Sequence, residues 1–279
     1  MSKNLIGIMQ GRLSPPEEGR FQSFPKSSWR DEFARAISAG LDYIEWIYDD
    51  FGGGENPLDT PHGLSELREL KAKWHIETPA LCADWLMDYP LIRCTQEECQ
   101  SRTQFLIQLI HLSKEIGARR VVLPFVDDSS IRTANEWATV ITVLKRILPI
   151  AEENGLELHI EADFPPLEFA RFLAYMPNRC IKVNYDSGNS SGLGYIAREE
   201  FAAYGDRIGS IHIKDRLRCA DGSFKTMPLG EGSANFPELF QSIRKIGYSG
   251  GLTLQVARGQ SGDEVNWIRR QVNYLQNYL

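Results

Sequence analysis

Four polar side chains stand at or near the ends of short apolar runs. They are Glu161 in Leu-Glu-Leu-His-Ile-Glu-Ala-Asp (156–163), Asp186 in Val-Asn-Tyr-Asp-Ser-Gly-Asn (183–189), His212 in Ser-Ile-His-Ile-Lys-Asp-Arg (210–216) and Gln255 in Leu-Thr-Leu-Gln-Val-Ala-Arg (252–258). Such groups are costly to bury unless they find partners. If the runs are strands, alternation puts Glu157, His159 and Glu161 on one face, groups Asn184 with Asp186, and groups Ser210 with His212 and Lys214. Should the four ends converge, two carboxylates, an imidazole and an amide oxygen make a mixed donor set. That set suits Mn²⁺, Mg²⁺, Co²⁺ or Zn²⁺. Each residue also has a plainer reading. Glu161 can pair with a nearby Arg or Lys, Asp186 can cap the following turn, and His212 can be a hydrogen-bonded core histidine. Gln255 is as readily an ordinary polar strand residue as a weak ligand.

The elements that must position these groups are β-rich runs alternating with helical ones. The strands expected are Leu5 to Gln10, Tyr43 to Tyr48, Glu77 to Cys82, Arg120 to Val126, Leu156 to Ala162, Ile181 to Asp186, Ile208 to Lys214 and Gly251 to Ala257. Helical periodicity runs over Trp29 to Ser38, Leu64 to Lys73, Glu97 to Ile116, Ala134 to Glu153, Pro166 to Tyr175, Ile196 to Tyr204, Pro237 to Ile246 and Glu264 to Tyr278. Several helices run into a glycine just before the next strand, at Gly40, Gly117, Gly155, Gly205 and Gly247, as short αβ connections do. Strict alternation over residues 1–279 predicts a single-domain α/β (β/α)8 TIM barrel. No GxGxxG follows the first strand to support a doubly wound dinucleotide fold. In a barrel the active site lies at the C-terminal strand ends, where the four polar residues are.

A net charge of -6 argues against a general attraction to nucleic acid or to an anionic membrane. No stretch is apolar enough to span a bilayer, and the opening Met-Ser-Lys-Asn run lacks a signal-peptide pattern. Five cysteines without a CxxC pair suit free thiols, so a cytoplasmic setting is expected. Gly52 to Gly54 lack the Lys-Ser/Thr of a P-loop and read as a flexible loop. Trp46, Trp85 and Phe125 could stack on a sugar, though core packing is the commoner fate. Asp49, Asp50, Asp84, Asp127 and Asp128 close the second to fourth strands as sugar-hydroxyl acceptors or as solvated loop carboxylates.

Glu161, Tyr-Asp-Ser-Gly-Asn at 185–189, His-Ile-Lys-Asp at 212–215, Pro-Leu-Gly-Glu-Gly at 228–232, Asn-Phe at 235–236 and Gly-Tyr-Ser-Gly-Gly at 247–251 together resemble the xylose-isomerase-like TIM-barrel superfamily. Ile-Met-Gln-Gly-Arg-Leu at 8–13 and Tyr-Ile-Glu-Trp at 43–46 extend the likeness to the N-terminal half. The branch most resembled is that of L-xylulose-5-phosphate 3-epimerases and hexulose-6-phosphate isomerases. The resemblance implies one divalent metal on Glu161, Asp186 and His212. Its fourth ligand is a glutamate on strand eight, where this chain has Gln255. A glutamine oxygen can ligate but cannot take a proton, which departs from a two-glutamate epimerase mechanism.

The expected function is metal-dependent isomerisation or epimerisation of a sugar or sugar phosphate through an enediolate, with Glu161 as base. A single base suits aldose–ketose isomerisation. Arg12, Lys214, Arg216 and Arg258 are candidates to hold a substrate oxyanion, and His159 is an inward-facing polar residue, either at the substrate or supporting the residues that touch it. The alternatives are a dehydratase of a polyol-derived ketone, and a sugar-binding barrel without activity. A repair nuclease of the same superfamily would want more histidine ligands and a basic groove. The partner expected is a small molecule, with no nucleic acid and no membrane, and the resemblance is compatible with a homodimer.

Overall fold

The computed structural model describes residues 4–279. The opening Met1–Lys3, on which part of the signal-peptide reading rests, lies outside the described residues. The first half runs β1 (Ile6–Met9), α1 (Glu32–Ala39), β2 (Tyr43–Ile47), α2 (Pro61–Trp74), β3 (Glu77–Cys82), α3 (Trp85–Asp88), α4 (Gln96–Glu115), β4 (Arg120–Phe125) and α5 (Ala134–Glu153). The second half adds β5 (Glu157–Ala162), α6 (Pro166–Ala174), β6 (Ile181–Asp186), α7 (Ser187–Gly192), α8 (Ala197–Tyr204) and β7 (Ile208–Ile213). It then adds β8 (Asp215–Arg218), β9 (Phe224–Met227), α9 (Phe236–Lys245), β10 (Leu252–Leu254) and α10 (Glu264–Gln276). The parallel strands close in the order β1-β10-β7-β6-β5-β4-β3-β2, as the alternation of the sequence predicts.

Local chemistry sets the helix ends. Thr95 with Glu98 and Thr133 with Glu136 form reciprocal capping boxes at the starts of α4 and α5, each satisfying backbone donors that the helix cannot. Gly40 ends α1 in the left-handed region at φ 79°, which a residue without Cβ adopts freely. Gly205 does not follow this pattern: it stands at φ -59° and opens a short 3-10 turn into β7. Strand eight is shorter than expected. Only Leu252–Leu254 pair as strand, and Gln255 follows with its N–H on the carbonyl of Ile213.

Apolar side chains such as Ile44, Val121, Leu158, Ile181 and Ile211 are buried in the main core. Trp46 is there too, against Phe24, Trp29 and Phe33, so it does not stack on a sugar. Trp85 packs on Tyr89 and Phe105. A second, polar set of buried residues is hydrogen-bonded in series. His159 Nδ1 meets Ser210 Oγ at 2.7 Å, Ser210 donates to Asn184 Oδ1 at 2.5 Å, and Asn184 Nδ2 donates to Glu161 Oε2 at 2.7 Å. Fully partnered networks of this kind hold side chains in one arrangement. This one leads from strand bases to the barrel mouth.

Candidate active site at the barrel mouth

Registers bring the polar strand ends together. Asp186 is level with His212, His212 with Thr253, and Glu161 with Pro124. Glu161, Asp186 and His212 are all buried, and each offers a ligand atom such that all three atoms lie within 4.8 Å of one another. Gln255 completes the ring beside them, 6% exposed.

The capping reading of Asp186 holds, and its second oxygen is left over. Its Oδ1 caps α7, accepting from the N–H groups of Gly188 and Asn189 at 2.8 Å each. Its Oδ2 is buried without a hydrogen-bond partner among the described residues. Its nearest cation is the Lys214 ammonium at 3.5 Å, too far for a good hydrogen bond, so the oxygen keeps a lone pair free for a ligand. Among the described residues Glu161 is paired with no Arg or Lys; its two oxygens accept from the side-chain amides of Asn184 and Asn189, each at 2.7 Å.

His212 has its Nε2 2.7 Å from Glu45 Oε1, and its Nδ1 3.4 Å from Glu161 Oε2. Burial pushes this imidazole down, but the flanking carboxylates Glu45 and Glu161 outweigh it and raise the pKa to about 10. A histidine whose far nitrogen bonds a carboxylate is oriented as metal-ligating histidines are, and a cation at Nδ1 would replace a proton there. Glu45 itself is steadied by Thr253, which donates at 3.1 Å. With its free carboxylate oxygen, a second carboxylate and an oriented imidazole, the donor set fits a divalent ion held by Glu161, Asp186 and His212.

Lys214 shares the space. Its ammonium donates to Asn189 Oδ1 at 3.2 Å and to Gln255 Oε1 at 3.1 Å, and lies 3.5 Å from Asp186 Oδ2. One amide, that of Asn189, therefore touches both Glu161 and Lys214. On its other side Gln255 donates to Gln22 Oε1 at 2.8 Å. Gln22 in turn donates to Asp84 Oδ2 at 2.6 Å, and burial pushes the Asp84 carboxyl up to about 6.

A cavity of about 690 Å³ opens above these groups, lined by Glu161, Asn189, Lys214 and Gln255 at one end and Arg216 at another. Asp84 and Asp127 also line it. Two of the candidate substrate contacts lie away from the cavity lining. His159 lies below the site, fully buried between Ser210 and Glu157. Arg12 is buried outside the cavity lining, donating to the carbonyl of Phe21 at 2.5 Å and to Gln22 at 2.9 Å. Arg258 reaches the lining, but its guanidinium donates to the carbonyls of Phe21 and Ser14 at 2.8 and 3.0 Å. The two arginines thus fasten the loop that presents Gln22. Sequence reasoning missed Glu45, Gln22 and Asn189 as site residues. Glu45 and Asn189 lay inside quoted motifs, whereas Gln22 sits in a loop with no periodic signal.

The Pro-Leu-Gly-Glu-Gly motif has a structural cause. Asp215, fully buried, accepts from the N–H groups of Gly230, Gly232 and Ala234 at 3.0, 2.9 and 3.0 Å. A Cβ on Gly232 would come within 2.2 Å of Asp215 Oδ1. This nest anchors the antiparallel β8–β9 hairpin at the cavity rim. Asp215→Ala, leaving three donors unpaired, is expected to cost about 2–4 kcal/mol, measured by urea unfolding.

A fold of this kind with carboxylates and imidazole at its strand ends defines a barrel enzyme scaffold with a metal-type pocket. The family model described as xylose isomerase-like TIM barrel matches residues 33–278, and the chain belongs to that family. Among curated relatives, an L-ribulose-5-phosphate 3-epimerase of Salmonella typhi is 23% identical over 229 residues, covering 80% of each chain. Among solved structures, a D-allulose 3-epimerase from Methylomonas sp., in complex with D-allulose, superposes with a TM-score of 0.76 at 16% identity over 100% of this chain and 98% of that one. The IolI protein with a bound zinc atom gives a TM-score of 0.78 at 17% identity, covering 99% of both chains. The structural likenesses establish the fold. No helix of the described residues is long and apolar enough to cross a membrane.

Proposed function

We propose that this chain is a sugar isomerase or epimerase that removes a proton next to a carbonyl, with Glu161 as base. The observation that carries the reading is the buried Glu161–Asp186–His212 cluster, its ligand atoms within 4.8 Å, opening on the cavity. Curated relatives named as sugar-phosphate epimerases support the substrate class. Five free cysteines suit a cytoplasmic enzyme.

In this reading Glu161, Asp186 and His212 hold one divalent ion, with Gln255 contributing its side-chain oxygen. The bound ion supplies a Lewis acid that polarises the substrate carbonyl. Asn184 and Asn189 aim the Glu161 carboxylate at the acidic C–H bond. Glu161 takes that proton and returns it to the neighbouring carbon on the same face, which interconverts aldose and ketose. Lys214 adds a fixed positive charge beside the developing oxyanion. Gln255 cannot exchange a proton, so a single carboxylate base works on the Glu161 side, which suits aldose–ketose isomerisation.

The test is metal analysis of the purified protein, followed by product analysis on ketoses and their phosphates. About one equivalent of Mn²⁺, Mg²⁺, Co²⁺ or Zn²⁺, lost on His212→Ala, together with turnover that chelation abolishes, is the expected result. A protein that turns over sugars at full rate after complete chelation would show the metal assignment to be wrong. Water loss in the product would move the reaction to the dehydratases.

A further inference from the structure

The cavity has two chemically different ends. Its floor carries the Glu161 carboxylate, with Asp186 close behind and the Lys214 ammonium 3.5 Å from Asp186, so that end holds the proton-transfer groups. Its rim is the β8–β9 hairpin, which contributes Arg216, Phe224, Lys225 and Thr226 to the lining. Arg216 and Thr226 face each other across the hairpin ladder.

Of the arginines expected to meet an oxyanion, Arg12 lies outside the lining and Arg258 is bound to backbone carbonyls. Arg216 differs. Its Nε is buried with no hydrogen-bond partner among the described residues. Its only ion pair among the described residues is a long one, 3.5 Å to the half-exposed carboxylate of Asp127. The guanidinium lies over the Phe224 ring, 5.5 Å from its centroid, and Gly192 of α7 lets both side chains approach closely. The Asp215 nest fixes the strand that carries it. An oriented guanidinium with an unused donor, on a rigid hairpin and facing a cavity, is built for an oxyanion.

We propose that Arg216, with Lys225 and Thr226, forms a phosphate subsite, so that the substrate is a phosphorylated sugar whose carbonyl end lies toward Glu161. The inference rests on the isomerase or epimerase reading and narrows it to phosphate monoesters. A planar fork can grip two phosphate oxygens, Lys225 adds a point charge at the exposed edge, and the Thr226 hydroxyl can donate a further bond. The incoming phosphate would take the place of Asp127 beside Arg216. The carbonyl end is the one that must reach the Glu161 carboxylate, which leaves the phosphate for the end of the cavity that carries Arg216.

The experiment compares kcat/KM for a 2-ketopentose and for its 5-phosphate in the wild type, Arg216→Gln, Arg216→Lys and Lys225→Gln, with thermal melts to establish that each variant folds. The wild type is expected to prefer the phosphate by about 100-fold or more. Arg216→Gln should cut that ratio at least about tenfold, chiefly through KM, with Arg216→Lys restoring part of it. A wild-type ratio near one, or a ratio unchanged in Arg216→Gln, overturns the subsite. If neither sugar is turned over, the isomerase reading fails on its own. Calorimetric binding of inorganic phosphate then still decides the subsite: at least about tenfold weaker binding to Arg216→Gln supports it, and equal or absent binding to the wild type overturns it.

Discussion

Glu161→Gln lowers kcat/KM by about 100- to 10,000-fold, the range that a positioned general base contributes. The substitution keeps shape and removes the ability to accept a proton. It also disturbs the local bonding in a defined way. Glu161 accepts from both Asn184 and Asn189, and glutamine has only one acceptor oxygen, so one of the two asparagines must turn or lose its partner. A modest fall in melting temperature is therefore expected alongside the kinetic loss. Solvent deuterium exchange into the substrate separates the two effects. A positioning defect leaves slow exchange in proportion to turnover and is relieved when Glu161→Asp restores a carboxylate. Loss of the base lowers exchange by about the same 100- to 10,000-fold, far more than the modest fall in melting temperature accounts for. Full turnover in Glu161→Gln would remove Glu161 from the chemistry.

Lys214→Met tightens divalent-metal binding by about tenfold or more. The ammonium is 3.5 Å from the Asp186 oxygen that lacks any hydrogen bond, and it is also bonded to Gln255. Charges a few ångströms apart interact by several kcal/mol even at an effective dielectric near 20, so an incoming dication meets repulsion that methionine lacks. Side-chain relaxation and the lost Lys214 bonds reduce the gain, which sets tenfold as the expected floor. Competition titration with a fluorescent chelator measures it directly. The same variant should bind sugar less well, because a fixed cation has gone from the cavity. Unchanged or weaker metal affinity would mean that Lys214 and the ion do not compete.

Much of this architecture was legible because the relevant signals are periodic. The strand and helix alternation predicted the closed barrel, and the limits of β3, β6 and α5 agree with the sequence reading residue for residue. Boundaries failed where tertiary hydrogen bonding decides them, as at Gln255, whose backbone pairs once with Ile213 and then leaves the ladder. The Asp186 alternatives could not be separated from sequence, since the two oxygens of one carboxylate do different things. Arg12 and His159 looked like substrate contacts because they follow or lie on a strand. Their direction depends on partners far along the chain: Gln22 and the Phe21 carbonyl for one, Ser210 and Glu157 for the other. The β8–β9 hairpin and α7 are short insertions after strand ends, with too few residues for a period to register.

The bond between Gln255 and Gln22 joins residues 233 positions apart in the chain. With the contact from His212 to Glu45, 167 positions apart, it means that the pocket is assembled from the earliest and latest segments of the barrel. Contacts so distant in sequence are the slowest to form. A nascent chain still emerging from the ribosome at β9 would hold Glu161, Asp186 and His212, yet it would lack Gln255 and β10, the one strand that closes the barrel. Ligand capture is thus a reporter of ring closure: competence to bind arises only once β10 has been made and has joined β7 and β1. Partly made chains would neither sequester metal nor compete for substrate.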